Sequence, residues 1–124
     1  MTMQLRGIRI ALLVACALLL SVGKADAQSL EKARSLYLDA DFQESLREFE
    51  GVLSRPGLTK DEATEAHRYL ASLRAVLGQK DEAEVHARAA LALDPAATPA
   101  QGAPKYLKKR CERHRAELGD READ

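Results

Sequence analysis

The 124-residue chain contains no tryptophan and no asparagine, and aromatic side chains make up only 4% of it. Cysteine is equally scarce, with Cys16 in an apolar leader and Cys111 alone in the remainder. One cysteine outside the leader excludes an intrachain disulfide there and reads as a small buried hydrophobe. Charge of one sign is also missing: 19 basic residues balance 19 acidic ones, which removes the general reason to expect nucleic acid as a partner. No segment beyond the leader alternates apolar and polar residues as a half-buried strand does. No G-x-S-x-G, glycine-rich phosphate loop or H-E-x-x-H occurs, so catalytic motifs of those classes are absent.

The N-terminus is "MTMQLRGIRIALLVACALLLSVGKADAQS". Arg6 and Arg9 form a basic start, residues 10–22 are uncharged, and Ala25-Asp26-Ala27 offers small residues around a cleavage point. This is the layout of a signal peptide over 1–27. The apolar run is short for a membrane span, which needs about 20 residues, although an uncleaved anchor is the alternative. "LVAC" also resembles a lipobox that would place a lipid on Cys16, but Leu18-Leu19-Leu20 continue the apolar run past it. All three readings predict export. Without Arg6, Arg9, Lys24 and Asp26 the totals of 19 and 19 become 16 and 18, a net of −2 over a single-domain length.

Alanine, leucine, glutamate and arginine dominate the rest, and all four are strong helix formers. Apolar spacing predicts a helix over about 29–39. A second follows Asp41, with Glu44 in capping-box position and Pro56-Gly57 beyond its end. Thr59 with Glu62 predicts a second capping box and a third helix striped by Ala63, Ala66, Leu70, Leu73 and Leu77. Gly78 suits a helix C-terminus. A fourth helix from about Lys80 has Ala83, Ala87, Ala90 and Leu91 on its buried face, and Pro95 closes it. "PAATPAQGAP" over 95–104 reads as a connector. A fifth helix over about 104–118 and a frayed polar tail over 119–124 complete the chain.

Two segments can be laid over one another at a constant offset: "ARSLYLDADFQESLREFEGVL" from Ala33 and "ASLRAVLGQKDEAEVHARAAL" from Ala71. Ala33 aligns with Ala71, Ala40-Asp41 with Gly78-Gln79, Ser45 with Ala83, and Phe49 with Ala87. Small residues at Ala33/Ser45 and Ala71/Ala83 would let two helices cross closely. The pattern, ending in Ala90 and Pro95, resembles the tetratricopeptide repeat, and its arrangement is similar to small exported repeat proteins of Gram-negative bacteria. The spacing of the two copies is longer than the family's usual period, and the excess falls in "SRPGLTKDEA". Lys80 departs from the aromatic that usually follows the turn. A generic helical bundle is the alternative.

The resemblance implies an all-α fold. Two tetratricopeptide-like hairpins over 28–95 would form a short α-solenoid, followed by a connector over 96–104 and a capping helix over 105–118. It implies a periplasmic scaffold that binds a protein or an extended peptide and performs no catalysis. The peptide groove would be lined by Arg34, Tyr37, Leu38, Arg68 and Ser72, with the two arginines available to an acidic group. Members that clamp a terminal carboxylate use asparagine, so that specialised function is not implied. No metal site or cofactor is expected: Cys111 and His114 form a C-x-x-H pair without partners, and His67 and His86 read as surface or interhelical residues. The fifth helix has six basic residues and one acid between Lys105 and Arg115. It reads as a cap packed through Leu107 and Leu118, with a basic outer face. Membrane contact is expected only through that helix or a lipid on Cys16. A lipid-anchored envelope component is the alternative function, and a small enzyme of unspecified type the third.

Overall fold

The computed structural model describes residues 29–123; the expected signal peptide over 1–27, with Cys16 and the expected cleavage point after Ala27, lies outside the described residues. All regular structure within them is helical: α1 (29–38), α2 (Phe42–Leu53), α3 (Lys60–Val76), α4 (Lys80–Leu93) and α5 (Lys105–Ala123). The start of α3 and the break between α3 and α4 fall where Thr59 and Gly78 place them.

The turns joining α1 to α2 and α3 to α4 repeat one another bond for bond. Ala40 N–H donates to the Tyr37 carbonyl and Gly78 N–H to the Ala75 carbonyl, each at 3.1 Å. Asp41 N–H donates to Leu36 and Gln79 N–H to Arg74, each at 2.8 Å. This paired pattern is a Schellman motif, which needs a left-handed residue at its corner. Gly78 occupies it at φ +80, and Ala40, its counterpart in the first hairpin, at φ +62. The same residues, Asp41 and Gln79, then open the next helix through their carbonyls.

This geometry corrects the expected box at Asp41. Its side chain makes no capping bond, and its N–H is already given to Leu36. Glu44 therefore has no backbone proton to receive. Thr59 enters α3 from an extended conformation and does make the reciprocal box with Glu62. Hydrogen bonding from Thr59, its side chain first and its backbone N–H second, lowers the Glu62 carboxyl pKa.

Two cores result. In the first, Ala33 and Ser45 have no exposed surface, and Ser45 Oγ donates to the Ala33 carbonyl at 2.8 Å. Phe49 stacks on Tyr69 of α3 at 4.7 Å between ring centroids, and Tyr37 meets Tyr69 edge-on at 5.0 Å. The second core joins Ala71 and Ala75 of α3 to Ala83, Ala87, Ala90 and Leu91 of α4, and to Leu107 and Cys111 of α5. Tyr106 and Leu118 pack partly against it. Burial raises the Cys111 thiol pKa.

Ion pairs bind neighbouring helices: Arg74 to Glu50 across α2 and α3, and Arg110 to Glu84 across α4 and α5. The fifth helix runs past the expected Leu118 to Ala123. Gly119 is tolerated within it because the charged helix formers that follow continue the pattern, so the residues expected as a frayed tail are mostly its last turn. α4 ends at Leu93 with Asp94 as its cap, and Pro95 follows directly, exposed in the turn beyond.

Candidate peptide-binding face

The residues after α4 do more than connect. Asp94 makes a turn in which its carboxylate accepts from Ala96 N–H at 3.0 Å and its carbonyl from Ala97 N–H at 2.9 Å. Pro95 stands second in that turn, where its fixed φ is favoured. The chain then runs on without regular structure to Ala100. A second turn, closed by Ala103 N–H to the Ala100 carbonyl, follows, with Gly102 at φ +89. Pro99 has no N–H and disfavours a helical conformation at Thr98. The segment between the two bends is thus kept out of a helix.

This strap lies across α3 and α1. Arg68 Nε donates to the Thr98 carbonyl at 2.6 Å, and Tyr37 Oη donates to the Gln101 carbonyl at 2.6 Å. Between them, Ser72 Oγ lies 3.4 Å from the Ala100 carbonyl and 3.3 Å from the Arg68 carbonyl. Arg68 and Tyr37 therefore each hold one strap carbonyl, and the single Ser72 proton is shared between the strap and its own helix. Hydrogen bonds of this kind contribute about 1 kcal/mol each, and more from a charged donor. Ala100 inserts into the aromatic core, while Ala97 and Ala103 enter the alanine core. From the other side, Arg115 of α5 donates to the carbonyls of Pro95, at 2.9 Å, and Ala97, at 2.7 Å.

The five expected groove residues therefore separate. Tyr37, Arg68 and Ser72 come together, and all three contact the strap. Arg34 does not join them, because it pairs with Glu65 at 2.9 Å. Leu38, next to Tyr37 in the chain, is left 78% exposed. Both arginines expected to receive an acidic group are thus already engaged within the chain. Burial raises the pKa of the Tyr37 hydroxyl, while a bond from Ser72 acts the other way, so Tyr37 stays a proton donor at neutral pH. Of the residues expected to define a repeat, Ala33, Ser45, Phe49, Ala71, Ala83 and Ala90 are all buried, and Gly78 makes its turn.

The strap is the part that sequence reasoning missed. Its signal is the even spacing of Ala97, Ala100 and Ala103 in a proline-rich segment that otherwise reads as a plain connector. Beside its first turn an open cleft of about 520 Å³ is lined by Asp61, Glu65 and Asp94 together with Thr64, Arg68 and Thr98. Asp61 gives no groove signal in the sequence, because an acid at a helix start is explained by the helix dipole alone.

Elsewhere, His67 of α3 and His86 of α4 face one another with their Nδ1 atoms 3.0 Å apart. At that distance one Nδ1 carries the proton and the other, on a neutral ring, accepts it. Burial lowers the pKa of His67. Burial first, then the charges of His67 and Arg74, lowers that of His86 to about 4. His114 sits apart from this pair, against Glu84 at 3.2 Å, and helps hold α5 to α4. Its bond is the largest cause lowering the Glu84 carboxyl pKa. Among the described residues, no three His, Cys, Asp or Glu side chains gather as metal ligands, and no helix is long and apolar enough to cross a membrane.

Comparison with known proteins adds no relative: no family model, no curated protein and no solved structure matches the chain.

Proposed function

We propose that the chain is an exported, non-catalytic adaptor of the bacterial envelope, built from two tetratricopeptide-like hairpins and a C-terminal capping helix. It binds an extended segment of a partner protein across α1 and α3. The observation that carries this reading is the row formed by Tyr37, Ser72 and Arg68, which already holds a non-helical backbone segment by its carbonyls. A row of main-chain contacts recognises extended peptide with little demand on side-chain identity. The Schellman turns at Ala40 and Gly78, which occupy equivalent places in the two aligned segments, support the repeat reading. The signal-peptide layout of residues 1–27 supports export.

The test has two parts. The intact mass of the exported chain should correspond to a start at Gln28; a lipid-modified start at Cys16 would establish the anchored alternative instead. The purified chain should also capture a defined protein from an envelope fraction. Leu38→Glu, at the exposed residue next to Tyr37, should abolish that capture, while Val85→Glu on the exposed side of α4 should leave it unchanged. Equal capture by both variants would place the interaction elsewhere and refute the reading.

A further inference from the structure

The strap itself describes the ligand. Between its two turns it presents Ala97-Thr98-Pro99-Ala100, with the two alanines buried and Thr98 exposed. The donors below read the carbonyls of Thr98, Ala100 and Gln101. Ala97, Ala100 and Ala103 are all at least nine-tenths buried among packed neighbours, so a larger side chain at these positions would have to displace them. A Cβ on Gly102 would meet the Tyr37 hydroxyl at 3.6 Å, an ordinary contact, so its positive φ rather than space selects glycine there.

We infer that the strap is a built-in occupant of the partner-binding face, and that the partner segment which replaces it is an extended peptide with alanine-sized residues three apart around a proline. This rests on the adaptor reading above and adds to it the chemistry of the partner and the state of the site. In the isolated chain the face is closed. The strap is tethered at both ends, by α4 and by α5, and a short tether of this kind competes at an effective concentration in the millimolar range. A partner in trans therefore binds with its intrinsic affinity reduced by the fraction of molecules whose strap is lifted. Arg115 is the outer latch, because it grips the carbonyls of Pro95 and Ala97 from α5 and has no part in the face below.

The experiment uses a labelled synthetic peptide, DPAATPAQGAP (residues 94–104), and measures its binding to the chain by fluorescence anisotropy. Ala100→Glu places a charge where the strap enters the aromatic core and should lift it. The opened chain should bind the peptide at least about tenfold more tightly than the unaltered chain, as expected when the open fraction rises by that factor. Arg68→Ala, added to the opened chain, should weaken binding again. A peptide with glutamate at the three buried alanine positions should not bind. Circular dichroism reports whether Ala100→Glu keeps its helices. If it does not, a chain with residues 97–103 replaced by a Gly/Ser linker of equal length takes its place.

An opened, helical chain that binds the alanine and glutamate peptides equally overturns the inference. So does loss of helical structure in both opened chains, because the strap would then be part of the core and not an exchangeable occupant. The two readings fail separately. Peptide binding without Leu38-dependent capture of an envelope protein would leave the face intact and remove the adaptor function. Leu38-dependent capture without peptide binding would retain the adaptor and remove the alanine–proline ligand.

Discussion

The space among α1, α2 and α3 is filled by rings: Tyr37, Phe42, Phe49 and Tyr69 contact one another there. The space among α3, α4 and α5 is filled by methyl groups, from Ala71, Ala75, Ala83, Ala87 and Ala90, with Leu91 and Leu107 as the large buried side chains. The turns at the start of these two regions have matching hydrogen bonds, at 3.1 and 2.8 Å in each. A common turn therefore fixes how each helix pair is joined, while the side chains decide how closely the helices lie. The aromatic region depends on volume being present. The alanine region depends on volume being absent, and there the backbones themselves are the packing surface.

That difference predicts opposite sensitivities. Phe49→Ala should cause the largest loss of stability, about 3–5 kcal/mol, because it empties a fully buried site and removes the partner on which Tyr69 stacks. Chemical denaturation measures it, and a loss under about 1 kcal/mol would mean that the aromatic region is not a packed core. Ala83→Leu should cost about 1–3 kcal/mol through overpacking, although it adds apolar surface. Unchanged thermal stability would show that α3 and α4 are not in close contact at that point.

The turns sharpen the comparison with a smaller, sign-reversing pair. Gly78→Ala introduces a Cβ at a left-handed residue and should destabilise by about 1 kcal/mol, whereas Ala40→Gly removes such a strain and should stabilise by somewhat less. Nothing lies within 4 Å of a Cβ built at Gly78, so backbone conformation and not crowding sets the sign there. Two changes of the same sign would break the equivalence of the turns.

The smallest effect at neutral pH belongs to His67 and His86, and it grows on acidification. Both are held below the ordinary histidine value of 6.5 in the folded chain, His86 at about 4. Their neutral pairing thus contributes full stability above pH 6.5. As pH falls from 6.5 towards 4, the unfolded chain takes up protons that the folded chain resists, and stability declines through that window. His86→Gln should flatten the decline in melting temperature between pH 7 and pH 5. A decline of the same steepness would assign it to the carboxylates instead.

Much of the helical frame is legible in local signals. Thr59 and Glu62 mark the start of α3, Gly78 its end, and the alanine spacing of α4 names its buried face. Asp41 misleads because the Glu44 carboxylate of a capping box and the Leu36 carbonyl of a Schellman turn compete for its one backbone proton, and sequence alone does not say which takes it. The strap is illegible for a different reason. Proline and glycine mark where a helix stops, but whether the stopped chain points into solvent or folds back depends on Tyr37, Arg68 and Ser72. Those donors lie far away in sequence and meet the strap only once the hairpins are in place.

The occupied face is the central claim, and its most direct test is a nuclear Overhauser measurement between the Tyr37 ring and the α protons of Gly102 in the isolated chain. A strong cross-peak, lost in Ala100→Glu while the Phe49–Tyr69 contacts persist, is the expected result. Absence of that cross-peak in the unaltered chain, with fast internal motion of residues 97–103, would contradict the account.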